Sequence, residues 1–224
     1  MEKISNAIRR IASSLSNGTY WAGKIYEDFG IKSDTGADPI ILRQTYQILS
    51  KMPVPLVKAC GIKRIIIRDD MGPNKPYYPN HGYFMGDSVT LNSDIFYSPD
   101  VPDDFVDHRG YFLTRPEQTL IHEMAHGYDE YNDTPSLKND WLGLSGWKEK
   151  PEPGLKRVII RDKGAPEVVG EWFYHPESEF TRFYARRNPW DDYADSFAFY
   201  AGGLKNRVPN SKKDYFDKKL AKFY

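Results

Sequence analysis

Apolar residues recur along this chain at two periods, and each period marks a kind of element. Ile4, Ile8, Ile11 and Leu15 fall at helical spacing with Arg9 and Arg10 on the outside, which predicts a first helix over 3–15. A second is expected to begin at Asp38-Pro39 and run through "IILRQTYQILSKM"; Pro suits a first turn, whose amides lack helical partners anyway. The run "KRIIIRD" is β-branched and bounded by Gly61 and Asp69-Asp70, the pattern of a buried strand. "HGYFMGDSVTLNSDIF" reads as extended chain, Val89 and Leu91 alternating with Ser88, Thr90 and Asn92, and Gly86 is the expected place for a bulge.

A Pro- and Asp-rich loop, "YSPDVPDDFVDHRG", leads into "RPEQTLIHEMAHGYDEY". This segment predicts a helix, with Pro116 near its start and Leu120, Ile121, Met124, Ala125 and Tyr128 for packing. Beyond a "WLGLSGW" loop, "LKRVIIRD" and "EVVGEWFYH" predict strands. "SEFTRFYARR" and "WDDYADSFAFYAG" predict helices, parted by Asn188-Pro189. The basic C-terminal "KNRVPNSKKDYFDKKLAKFY" predicts a solvated amphipathic helix. No repeat, low-complexity tract or linker divides the chain. The expectation is one α+β unit, with residues 1–60 as a helical lead-in packed on a domain of residues 61–224.

Hydrophobic residues make up 40% and charged residues 28% of the 224, which is ordinary for a globular domain with a sizeable core. Lys plus Arg and Asp plus Glu number 31 each, so no net field draws the chain to nucleic acid or to an anionic membrane. Cys60 is the one cysteine, excluding an intrachain disulfide; its surroundings predict a buried thiol where a helix gives way to a strand. No apolar run is long enough for a signal peptide or a bilayer span, so the default expectation is a cytoplasmic protein. On that expectation the sequons Asn17-Gly18-Thr19 and Asn132-Asp133-Thr134 carry no weight.

One stretch carries chemistry. In "TLIHEMAHGYDE", His122 and His126 lie four apart on a helix, so both imidazoles project from one face and can reach one ion. Glu123 is offset around the helix, where it reaches a water at the ion rather than the ion itself. With five His and 11 Glu, chance would place HExxH in roughly one such chain in two hundred. Two His do not complete a catalytic zinc site, which takes three protein ligands. The extended pattern HExxHxxGxxH fails, because Asp129 and Asn132 stand where Gly and His are required. Asp129 is left a supporting role, orienting a ligand or capping a loop amide.

The best source of a third ligand is the helix "WDDYADSFAFYAG". Asp191, Ala194, Asp195 and Ala198 share a face, and the small alanines allow close approach to the HExxH helix. Asp191 as ligand with Asp195 hydrogen-bonded to a ligand His would supply an inner and an outer shell. The residues leave another reading open: Asn188 as N-cap, Pro189 as N1 and Asp191 as an N3 acid would merely cap the helix. Asp192, Asp195, Glu179, Glu171 and His175 are the alternative ligands.

The two blocks together resemble the gluzincin-type zinc peptidases typified by anthrax lethal factor and the bacterial Pro-Pro endopeptidases. In that family HExxHxxD is followed by a Tyr and, seven residues later, by an acidic zinc ligand within E-x-x-A-E-x-F. Here His122-Glu123-Met124-Ala125-His126-Gly127-Tyr128-Asp129 is followed by Tyr184 and then by Asp191-Asp192-Tyr193-Ala194-Asp195-Ser196-Phe197. The resemblance spans Tyr83 to Tyr200 in order of features, and only the two blocks are specific. It departs in offering Asp, one methylene shorter than Glu, and in the extra loop and strands between the blocks. It implies a zincin-like domain with a small mixed sheet, an HExxH helix and a C-terminal ligand helix. The segment "YFMGDSVTLNSDIF" would be an edge strand beside the cleft, its plain alternative being an internal strand.

The function implied is a zinc-dependent endopeptidase acting on a protein or peptide. One Zn²⁺ would be held by His122, His126 and Asp191, Glu123 would be the general base, and Tyr184 would share the oxyanion charge. Two other readings stand beside it: a zinc hydrolase of another amide, such as a cell-wall crosslink, and a zinc-stabilised structural or binding protein, for example a phage-type component, without turnover.

Overall fold

The computed structural model describes residues 17–34, 36–71, 81–97, 112–161 and 168–224. The helix expected over 3–15 lies outside them, as does all of the Pro- and Asp-rich loop except Tyr97. The first described helix, α1 (Gly18–Phe29), is not among the expected elements. Asn17 caps it, its Oδ1 accepting from the Thr19 amide at 2.9 Å. Gly30 ends it in the left-handed region at φ 76°, with Ala22, Ile25 and Phe29 buried beneath.

The second expected helix is α2 (Pro39–Leu49), capped by Asp38 and ended before Pro53, whose ring disfavours a helical residue ahead of it; α3 (Val54–Ala59) lies beyond the expected run. Four strands form the main sheet: β1 (Lys32–Ser33), β2 (Arg64–Arg68), β3 (Gly82–Met85) and β4 (Ser88–Asn92), in the order β1-β2-β4-β3. β1, β2 and β4 run parallel and β3 antiparallel, so the sheet is mixed and β3 is its edge. Met85 pairs with Ser88 across a two-residue turn, and Gly86 at φ 58° starts that turn rather than a bulge.

The HExxH segment forms α4 (Arg115–Tyr131). A capping box opens it: Thr114 Oγ1 accepts from the Glu117 amide, and Glu117 Oε2 accepts from the Thr114 amide at 2.6 Å. After α5 (Asn139–Ser145), a three-stranded antiparallel sheet contains β5 (Trp147–Lys148), β6 (Lys156–Arg161) and β7 (Val168–Tyr174), in the order β5-β7-β6. "SEFTRFYARR" forms only a 3-10 turn over Phe183–Arg187, bounded by extended backbone at Arg182 and at Asn188, which precedes Pro189 and the next helix. That new helix is α6 (Pro189–Ala201).

α7 (Asn210–Lys219) is docked rather than solvated: Lys212, Tyr215 and Phe216 are buried. The Trp141 ring packs edge-on against Tyr215 and tilted against Phe216, at 5.3 and 5.5 Å between centroids for the two pairs. One apolar cluster joins α1, α2, α3, the mixed sheet, α4, α6 and α7, through residues such as Ile25, Leu42, Leu56, Leu91, Ile121, Phe197 and Phe216. The described residues before position 61 therefore share both sheet and core with those after it. A smaller cluster of Trp147, Trp172 and Tyr174 holds the second sheet, with Ile160 and Trp190 packed against it.

Candidate metal centre

α4 is buried along nearly its whole length; His122 is buried within it and His126, at the cleft, partly so. Gly127, next to His126, permits a close contact: a Cβ there would stand 2.4 Å from the Cys60 carbonyl oxygen and 2.8 Å from Ile62 Cδ1. The opposite side of α4 packs on α6, where Ala194 and Ala198 are fully buried. Small side chains at that contact let the helices approach closely enough for a short carboxylate to reach across.

His122 Nε2 and His126 Nε2 lie 3.1 Å apart, and Asp191 Oδ1 is 3.5 Å from each. Edges of 3.1, 3.5 and 3.5 Å enclose a circle of about 2.0 Å radius, so an ion at the ~2.0–2.1 Å typical of zinc would sit less than ~1 Å from the plane. The three residues can hold a metal ion. His122 Nδ1 lies 2.8 Å from the Asp195 carboxylate; donating its proton there leaves Nε2 free to bind an ion. Two unprotonated ring nitrogens facing each other at 3.1 Å repel unless a cation or proton lies between them.

The charges agree with this. Burial opposes a charge on His122, but the Asp195 and Asp191 carboxylates outweigh it and push its pKa up to about 10. Burial likewise opposes the Asp191 carboxylate, yet the two imidazoles hold it far below the ordinary carboxylate range. A cluster that attracts protons so strongly can also attract a cation, whose binding would displace them.

Asp191 also belongs to the cap of its helix, with Asn188 as N-cap. The Asp191 amide donates to Asn188 Oδ1 at 2.6 Å, and Asn188 Nδ2 donates to Asp191 Oδ2 at 2.8 Å. The capping and ligand readings are thus compatible, one carboxylate oxygen serving each. The alternative ligands lie elsewhere. Asp192 turns away to Lys212 Nζ at 2.6 Å and Trp147 Nε1 at 3.1 Å. Asp195 stands behind His122; Glu171 pairs with Arg157; the exposed His175 accepts from the Glu177 amide. Glu179 is exposed. Asp129 caps the following loop, its oxygens accepting from the Ser136 amide and hydroxyl at 2.7 Å each.

A cleft of about 550 Å³ opens over the cluster. Glu123 lines it beside His122 and His126, as do Gly82, Tyr83 and Phe84 of edge strand β3 and Ile160 of β6. Among the described residues no side chain donates a hydrogen bond to the Glu123 carboxylate, which leaves it available to a water. Tyr184 also faces the cleft, its ring 5.8 Å from that of His122 at 74°. Burial, and then the charge of Asp191, push the Tyr184 phenol well above its ordinary pKa, so it is a protonated donor at neutral pH.

Sequence reasoning missed Gln118 and Arg182, which both donate to Asp195. Gln118 Nε2 does so at 3.0 Å, and it lies one turn before His122 on the same helical face, a signal legible in the helical period. Arg182 had no comparable signal, because it is brought in by a turn rather than by a periodic element. Set against protein-family models, curated proteins and solved structures, the chain matches none of them. Among the described residues no helix is long and apolar enough to cross a membrane.

Proposed function

We propose that this chain is a zinc-dependent endopeptidase with a zincin-like architecture. The observation that carries the reading is the convergence of His122, His126 and Asp191 at zinc spacing beside Glu123, in a cleft bordered by a sheet edge. When bound, zinc supplies Lewis acidity to water and to a scissile carbonyl. Glu123 takes the proton of the attacking water and passes it to the leaving amine nitrogen. The Tyr184 phenol donates to the carbonyl oxygen as negative charge develops there. Asn188 holds the outer oxygen of Asp191, keeping the inner one aimed at the two imidazoles. Along β3, the edge strand among the described residues, main-chain groups would pair with an extended peptide, whose alternate side chains enter the cleft. The antiparallel direction of β3 and the mixed order of its sheet support the zincin-like reading.

The test is a peptide-library digest with wild type, Glu123→Gln and His122→Ala, alongside metal analysis of each. Wild type and Glu123→Gln are expected to carry one zinc, His122→Ala none, and only wild type to cleave. One zinc with no cleavage of any pool by wild type would favour a zinc-stabilised binding protein instead.

A further inference from the structure

The Tyr184 ring is flanked by two guanidinium groups, Arg182 Cζ at 4.8 Å and Arg187 Cζ at 4.6 Å from its centroid. The two are not equivalent. Arg187 is exposed. Arg182 has a side chain only 13% exposed and forks onto Asp195, with Nε to Oδ2 and Nη2 to Oδ1 at 2.8 Å each. Asp195 is fully buried, and the Oδ1 that Arg182 holds is the oxygen facing His122 Nδ1 at 2.8 Å.

We propose that Arg182 is a positioning residue that sets two groups of the site with one side chain. Through the fork it fixes the plane of the Asp195 carboxylate, and through Asp195 the ring of His122, so that Nε2 stays aimed at His126 and Asp191. With the same planar group it backs the Tyr184 ring and holds the phenol in the cleft. Three features of arginine suit this. Its charge balances a carboxylate that burial would otherwise penalise. Its two parallel donors fix the carboxylate's rotation, which an ammonium does not. Its flat face stacks on an aromatic ring. The His122 half of the proposal requires only that a metal binds, whereas the Tyr184 half rests on the endopeptidase reading.

Zinc dissociation constants, measured by competition with a chromophoric chelator, test the first half. Arg182→Met is expected to weaken zinc about 10- to 100-fold, the usual effect of losing a partner behind a ligand His. Arg182→Lys should lie between that value and wild type. Arg187→Met, which loses a guanidinium over the Tyr184 ring at the cleft's border, should stay within about twofold of wild type, since of the two arginines Arg182 is the one on Asp195. In an Asp195→Asn background the Arg182→Met change should add little, because its effect runs through that carboxylate. Cobalt substitution gives a second readout, in which the visible bands shift for Arg182→Met and not for Arg187→Met.

At saturating zinc, Arg182→Met should lower kcat with little change in KM. Unchanged zinc affinity in a folded Arg182→Met, or equal losses for Arg182→Met and Arg187→Met, overturns the proposal. Should Arg182→Met fail to fold, wild-type affinity and spectrum in Arg182→Lys overturn it equally. A wild type that binds zinc but cleaves nothing sinks the endopeptidase reading and leaves the affinity test standing.

Discussion

The pair formed by Lys212 and Asp192 offers the sharpest energetic test of how the ligand helix is held. Lys212 comes from α7 and Asp192 from the first turn of α6, one residue beyond Asp191. Nζ and Oδ1 are 2.6 Å apart, and the two side chains are 1% and 0% exposed. Trp147 Nε1 donates to the other carboxylate oxygen at 3.1 Å, so the pair ties the second sheet and the C-terminal helix to α6. Burial pushes the Asp192 carboxyl upward, and Lys212 and Trp147 pull it back. The charge is therefore tolerated only because its partners are present. Lys212→Met preserves the apolar stem and strands the carboxylate, which should cost about 3–5 kcal/mol. For a domain of this size that lowers Tm by roughly 6–20 °C. Asp192→Asn should cost a comparable amount by stranding the ammonium.

The double variant strands neither charge and should cost about 2–3 kcal/mol less than the sum of the two single losses, which is the coupling energy of the pair. The assay is thermal and urea unfolding followed by circular dichroism on the four proteins. A loss under about 1 kcal/mol for Lys212→Met, or single losses that simply add in the double variant, would refute the reasoning.

Three further outcomes are expected. Asp191→Ala should abolish stoichiometric zinc binding, whereas Asp192→Ala should keep the metal and lower Tm; metal analysis and melting curves on both variants separate the two roles. Gly127→Ala, whose new Cβ would meet the Cys60 carbonyl oxygen at 2.4 Å, should destabilise by about 1–3 kcal/mol in urea titrations, and a neutral effect would show that α3 and α4 are not in that contact. Cys60 is fully buried and burial pushes its thiol pKa up, so it should resist thiol reagents in the native protein and react at once in denaturant, as an absorbance assay with a disulfide reagent would report.

Much of this architecture is written in local pattern. The four-residue spacing of His122 and His126 places two imidazoles on one helical face wherever that helix forms. The Thr114–Glu117 capping box and Pro116 make it form there. The β-branched run at Arg64–Arg68 and the alternation at Ser88–Asn92 mark the strands that pair in the mixed sheet. Local pattern fails where an element is short or its period is broken. α1 carries Gly18 and Gly23 among its aromatics, α3 is only six residues with prolines at 53 and 55, and "SEFTRFYARR" has helical periodicity but is broken by extended backbone at Arg182 and Asn188.

The third corner of the cluster was open in the sequence, because Asp191 satisfies a helix cap as well as it satisfies an ion. Only the packing of α4 on α6 brings it to the imidazoles, since the buried alanines allow the separation at which an aspartate lies 3.5 Å from both. Packing likewise turns Asp192 away into the ion pair with Lys212 and swings Arg182 behind Asp195. Those assignments depend on distances between residues far apart in the chain. No local period encodes such distances, and burial, which settles which charges must meet, exists only once the chain has folded.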